Sequence, residues 1–300
     1  MKRYIPQHTP TLGVCQRKFS SHALFISEEL TLSWPTLESL ISESAAPPKW
    51  LVKDLLYQQS LICVAGVPGV GKSVFAYSLA VAVASGRNFL DLEVNQGRVL
   101  YLDEENGPAN QPTYLKWAWK GMGEPPLEHL STNLRVGQNA ILSHPAGWFA
   151  CIGEEARAFR PNLIICDTSS SCFRVNDEND NAEASKLIAG LRLVQVAANN
   201  DTTILILRHA RIERDAKGRH PDRFKMRGAS AWAGATDGVM FHLAPAGNYH
   251  GLRPTYIIPD KTRAFGLRSK LIITPTWTSD DHKERGIKLA GRFENHGPAN

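Results

Sequence analysis

The sequence predicts an α/β fold with a mostly parallel twisted sheet, helices on both faces, and antiparallel edge strands near the C-terminus. Three observations carry this. From residue 61 onward, short apolar runs alternate with segments of helical length, as in successive β-α-β units. The runs are apolar throughout rather than every second residue, which marks strands covered on both faces. A glycine-rich turn joins the first run to a long apolar helix, a join typical of parallel sheets that bind anions.

LICVAG (61–66) is the first buried strand, and SVFAYSLAVAVASG (73–86) is a helix that stops at Gly86. GRVLYLD (97–103) is the next strand, and residues 110–120, which contain Trp117 and Trp119, read as helical. NLRVG (133–137) is a short strand and GWFACIGEEARAF (147–159) an amphipathic helix. NLIICD (162–167) and TTILILRHA (202–210) are buried strands on either side of a helix over 181–200. GVMFHLA (238–244), PTYIIPD (254–260) and SKLIITP (269–275) follow without helices of crossover length, so they form the antiparallel edge. Residues 1–48, which end in Ala45-Ala46-Pro47-Pro48, read as an appendage with one short helix (29–42) and a linker. The domain is expected over 49–275, with a tail over 276–300.

Composition narrows the class. The 300 residues are 43% apolar and 21% charged, which suits a packed core and excludes extended disorder. An uninterrupted apolar run of membrane-spanning length is absent, as is the apolar stretch of a signal peptide at the start. The five cysteines are scattered and lack CxxC spacing, so a disulfide framework and a zinc site are not expected, and the expected compartment is the cytoplasm. The net charge of +5 is concentrated. Residues 208–227 hold eight basic side chains against three acidic ones, and the rest of the chain sums to zero. Such a local excess is the footprint of a polyanion contact.

The turn GVPGVGKS comprises Gly66, Val67, Pro68, Gly69, Val70, Gly71, Lys72 and Ser73, and it matches G-x-x-x-x-G-K-[ST]. Its glycines let the backbone close around an anion with its amides pointing inward. Lys72 supplies a point charge for the β- and γ-phosphates of a nucleotide such as ATP, and the Ser73 hydroxyl is placed to ligate Mg2+. Asp167 ends a strand at the same sheet edge and is the second metal residue. Hydrolysis also needs a group that orients water. Asp103, Glu104 and Glu105 cluster at the end of the strand after the turn helix; Glu105 is favoured for this role and Glu104 is the alternative. His209 ends the strand before the basic segment, where it can feel the γ-phosphate and pass its loss to the loop that follows.

These pieces in this order resemble a RecA-like P-loop ATPase of the AAA-named family that includes plasmid RepA-type hexameric replicative helicases. The matching residues are WLVKDLL (50–56), GVPGVGKS (66–73), RVLYLDEENGP (98–108), LIICDTSS (163–170), ILILRHA (204–210), RGASA (227–231) with Asp237, and DKTR (260–263). The resemblance implies a homo-hexamer with ATP and Mg2+ held between subunits, a catalytic glutamate at Glu105 and a sensor at His209. It also implies a single-stranded DNA-binding loop over 211–226, whose contacts fall on Arg211, Arg214, Lys217, Arg219, Arg223, Phe224 and Lys225. Lys261 and Arg263 look like paired cationic fingers offered to a neighbouring subunit, with Arg227 as another basic candidate. The RepA type carries an arginine where this chain reads Thr236-Asp237-Gly238-Val239. The function expected is therefore an ATP-driven DNA helicase or translocase. The alternative is a filament-forming or accessory DNA-binding ATPase without unwinding activity.

Overall fold

The computed structural model describes residues 36–44, 48–137, 148–173, 180–199, 201–211, 225–226, 230–243, 252–262 and 269–294. The chain divides into two compact units, Met1–Ala45 and Ala46–Asn300. In the first unit the described element is helix α1 (Leu37–Ser44). It starts where Thr36 Oγ1 accepts the Ser39 backbone N–H at 3.2 Å, a hydroxyl cap that the helix over 29–42 expected from sequence did not use.

The second unit opens with a hairpin, β1 (Trp50–Val52) and β2 (Leu56–Tyr57). The elements that follow are β3 (Leu61–Gly66), α2 (Lys72–Ser85), β4 (Val99–Asp103), α3 (Gly107–Gly121), α4 (Leu127–Asn133), β5 (Leu134–Gly137), α5 (Trp148–Phe159) and β6 (Leu163–Asp167). Then come α6 (Ser169–Phe173), α7 (Asn181–Ala197), β7 (Thr203–Arg211), β8 (Lys225–Met226), α8 (Ser230–Ala235), β9 (Gly238–Leu243), β10 (Thr255–Thr262), β11 (Leu271–Trp277) and β12 (Ile287–Phe293). The main sheet runs in the order β12-β11-β10-β9-β3-β7-β6-β4-β5, with β8 joined to β7. From β9 to β5 neighbouring strands are parallel, and β10, β11 and β12 are added antiparallel.

The wholly apolar runs are explained by two cores. Leu163 and Ile165 of β6, Leu205 and Leu207 of β7, and Val99 and Tyr101 of β4 pack toward α2 and α3. Their neighbours Ile164, Cys166, Ile204, Ile206, Leu100 and Leu102 face the opposite way, onto α5, α7 and α8. A strand's side chains alternate in direction, so a strand covered on both sides must be apolar at every position. Helix α2 is buried along nearly its whole length and ends at Gly86, whose left-handed φ of 72° lets its N–H close onto Ala82 O.

The sheet passes beyond residue 275, where the sequence reading ended the domain. β12 pairs with β11 from Leu271↔Phe293 to Trp277↔Ile287. Its alternating Ile287 and Leu289 are buried in the core, and Lys120 of α3 holds Glu284 just before it at 2.6 Å. The pattern Ile-Lys-Leu is short enough to be lost among the polar residues around it, which is why 276–300 reads as a tail.

Candidate functional site

Strand register gathers the site. β3 and β7 run parallel with Gly66 opposite His209, and β4 and β6 with Asp103 opposite Asp167. The turn after β3, the acids after β4 and β6, and the end of β7 therefore meet at one carboxyl edge. Glycine is required at Gly66, where an added Cβ would lie 2.6 Å from the His242 carbonyl oxygen. Gly71, at φ 99°, caps the start of α2 in a conformation that few other residues adopt. The turn thus opens toward the helix N-terminus, with its amides and the positive end of the helix dipole directed to the same place. Lys72 is buried and donates to Gly66 O at 3.1 Å and Val67 O at 3.2 Å. Burial lowers its pKa, while the Glu105 and Asp167 charges work against that shift. Val70 is buried, and Pro68 and Gly69 stand exposed at the tip of the turn.

Behind the turn lies a bonded group of carboxylates. Asp167 Oδ2 accepts the Tyr101 hydroxyl at 2.8 Å and the Asn106 amide at 3.3 Å. Asp167 Oδ1 is buried and has no hydrogen-bond partner among the described residues. Burial pushes the Asp167 carboxyl up to about 7; the Asp103 and Glu105 charges add to this, and the Tyr101 hydrogen bond and the nearby Ser73 hydroxyl oppose it. Asp103 Oδ2 accepts the Tyr77 hydroxyl at 2.6 Å, and its Oδ1 accepts the backbone N–H of Glu105 at 3.2 Å and of Asn106 at 2.9 Å. The Asn106 amide also reaches Ser73 Oγ at 3.3 Å.

This donor set fits magnesium. The Ser73 hydroxyl and the unpartnered Asp167 Oδ1 are hard oxygen ligands, suited to Mg2+ rather than to a thiophilic metal. Among the described residues no cluster of three His, Cys, Asp or Glu could hold a metal alone, so phosphate oxygens and water would complete the shell.

The remaining predicted residues are placed in different ways. Glu105 is exposed at the edge, with its Oε2 3.7 Å from His209 Nε2, so the favoured water-orienting residue and the favoured sensor are neighbours. Glu104 instead sends its backbone N–H to Asp167 O at 3.0 Å. Lys261 Nζ donates to the carbonyls of Ala233, Gly234 and Thr236, at 3.0 Å for the last two. It therefore caps the C-terminal end of α8, where a cation meets the negative end of the helix dipole, rather than standing clear as a finger. In the basic segment, the backbone of Arg211 pairs with that of Lys225, and Ala210 with Met226, so the loop is closed at its base by β7 and β8. Arg214, Lys217, Arg219, Arg223, Phe224, Arg227 and Arg263 lie outside the described residues.

Sequence reasoning missed a cleft of about 500 Å³ beside the turn, lined among others by Tyr114, Trp117, His242, Arg253, Thr255 and Trp277. Trp117 and Trp277 meet edge to face with centroids 5.4 Å apart, and the Arg285 guanidinium lies 4.0 Å from the Trp277 ring. His242 Nε2 is 2.9 Å from Thr255 Oγ1, and burial, together with the Lys72 charge, pushes its pKa down to about 3. The imidazole is therefore neutral at pH 7.

No helix among the described residues is long and apolar enough to cross a membrane. A protein-family model described as an AAA domain matches residues 27–215, more than half of the chain. The match takes in the turn, the acids after β4 and β6, and His209, and it stops before β9–β12.

Proposed function

The chain belongs to the AAA domain family of nucleotide-dependent ATPases, and we propose that it is a nucleic-acid motor, a RepA-type hexameric helicase or translocase that moves on single-stranded DNA. One observation carries this reading. The phosphate-binding turn, Glu105, His209 and the base of the basic loop share one sheet edge, with Gly66 and His209 in register and Arg211 two residues beyond.

In this reading Lys72 turns from its own carbonyls to the β- and γ-phosphates of ATP, while the turn amides hold the triphosphate. Ser73 Oγ and Asp167 Oδ1 would hold Mg2+, which would supply positive charge to neutralise the phosphates. Glu105 orients the attacking water, and its exposed carboxylate has the access that this role needs. His209, 3.7 Å from Glu105, senses the γ-phosphate, and its strand leads directly into the loop. Loss of that contact shifts the loop, whose basic residues bind DNA phosphates and whose Phe224 stacks on a base. The aromatic cleft beside the turn takes the nucleotide base. A neighbouring subunit's Arg263 is the finger in this scheme.

The test is single-stranded DNA binding over a range of salt, together with unwinding of a forked duplex. Replacing Arg214, Arg219, Arg223 and Lys225 by alanine removes four phosphate contacts. The log–log salt slope should then fall in magnitude by roughly 3 and the affinity by at least about tenfold. An unchanged slope contradicts the loop assignment. A second reading, a filament-forming or accessory ATPase, is favoured by the engagement of Lys261 with its own α8, which leaves one fewer cation for a subunit interface. Open-ended oligomers without unwinding would select it.

A further inference from the structure

We infer that Tyr101, Tyr77 and Asn106 form a positioning brace that fixes the Asp167 carboxylate with Oδ2 occupied and Oδ1 presented to the metal. The inference rests on the reading of Ser73 and Asp167 as metal residues and goes beyond it, because none of the three belongs to the phosphate-binding turn or to the acids that sequence singles out.

A carboxylate is nearly symmetric, and unless one oxygen is held it can rotate either toward a cation. Here Oδ2 is held by the Tyr101 hydroxyl at 2.8 Å and by the Asn106 amide at 3.3 Å, whereas Oδ1 is buried without a partner among the described residues. Tyr101 is fixed in turn. Its ring stacks on that of Tyr77 with centroids 4.3 Å apart and planes 21° apart, and both rings are fully buried. The Tyr77 hydroxyl ends on Asp103 Oδ2 at 2.6 Å, and Asp103 Oδ1 lies 3.1 Å from the Asn106 amide. Asn106 then reaches Ser73 Oγ, so the brace closes between the two metal residues.

Packing alone does not call for this. Two phenylalanines would fill the same core without bringing two hydroxyls that need partners, and a buried hydroxyl without one costs stability. Each hydroxyl instead ends on an acid at the sheet edge, the arrangement by which groups behind a metal ligand set its orientation. These three are positioning residues, since each acts through Asp167, Asp103 or Ser73.

The experiment uses the full chain and measures two affinities separately. One is the binding of Mn2+, a spectroscopic substitute for Mg2+, in the presence of a nonhydrolysable ATP analogue, followed by electron paramagnetic resonance. The other is the binding of a fluorescent ATP analogue in EDTA. Tyr101→Phe should raise the Mn2+ dissociation constant about tenfold and Asn106→Ala by a similar factor, the effect expected for a partner behind a metal ligand. Tyr77→Phe, one step further removed, should raise it less. Metal-free nucleotide affinity should stay within about twofold, because the turn and Lys72 are untouched. Mn2+ affinity unchanged in both Tyr101→Phe and Asn106→Ala overturns the brace. A parallel loss of metal-free nucleotide affinity overturns it as well, since that is the signature of a general packing role. Should Tyr101→Phe fail to fold, Asn106→Ala decides alone, at a position that is only half-buried. If the wild type itself binds no Mn2+ with the analogue, the nucleotide-site reading has failed instead.

Discussion

The parallel and antiparallel halves of the sheet meet the same cleft with different kinds of side chain. On the parallel side, β4, β6, the start of α2 and the residue before α3 bring polar groups bonded to one another: Tyr101 to Asp167, Tyr77 to Asp103, and Asn106 to Ser73. On the antiparallel side, β11 contributes Trp277 and β12 contributes Ile287 and Leu289, with α3 adding Trp117 and Tyr114. Chemistry on a phosphate needs oxygens and a metal held in fixed directions, and a hydrogen-bonded network supplies them. Holding a flat aromatic ligand needs area and shape, which large rings supply at low entropic cost. The family match ends before the antiparallel half begins, so it takes in Tyr114 and Trp117 of this wall but not Trp277, Ile287 or Leu289.

If the two halves divide labour in this way, substitutions should separate binding of the triphosphate, turnover and binding of the base. The largest effect belongs to the parallel side. Lys72→Ala removes the buried cation of the turn and should weaken ATP binding at least about a hundredfold, since a charge-assisted contact to a polyanion is lost; calorimetry reads it directly. Glu105→Gln keeps the shape of the side chain and loses its basicity. Turnover should fall about 10²–10⁴-fold with ATP affinity within a few-fold, and a steady-state assay paired with binding separates the two.

His242 stands on β9, the last parallel strand, and its effect is on stability. Its folded pKa of about 3 lies below the ordinary 6.5. The unfolded imidazole therefore takes up a proton first as pH falls, and the stabilisation present above about 6.5 is lost progressively toward pH 3. Between pH 7.5 and 5 the wild type should lose roughly 2 kcal/mol more than His242→Gln in urea unfolding. Equal losses would mean that the ring takes a proton without cost. The smallest effect belongs to the antiparallel wall. Trp277→Ala should weaken nucleotide affinity about tenfold, the scale of one stacking contact, with little change in turnover. A large fall in turnover instead would erase the contrast between the two sides.

Much of the parallel half was legible in the sequence. Strands buried on both faces are apolar at every position, and the turn between β3 and α2 has a spacing that few other structures need. The antiparallel strands β10 and β11 were legible as an edge because no crossover helix separates them, whereas 238–244, read as part of that edge, forms β9, which lies parallel to β3 and turns antiparallel only toward β10. β12 was not, since only Ile287, Leu289 and Phe293 of its seven residues carry a pattern. Among site residues, Glu105 and Asp167 stood out because acids at the ends of apolar strands are conspicuous. Tyr77 and Tyr101 did not, because a tyrosine in an apolar helix or strand reads as core and only the strand order reveals that its hydroxyl meets a carboxylate. Asn106 was hidden by the three acids before it. The cleft was invisible because Trp117 and Trp277 lie 160 positions apart and meet only through the pairing of β11 with its neighbours. Lys261 was read as an outward cation because sequence cannot show that the carbonyls ending α8 lie beneath it.

The most direct test is a crystal structure of the chain with Mg2+ and a nonhydrolysable ATP analogue. The account predicts phosphates on the amides of 69–73, with Lys72 turned away from Gly66 O and Val67 O. It predicts a metal about 2.1 Å from Ser73 Oγ that faces Asp167 Oδ1, directly or through one water. A triphosphate seated elsewhere, or a metal held by Asp167 Oδ2 with the Tyr101 contact broken, would contradict it.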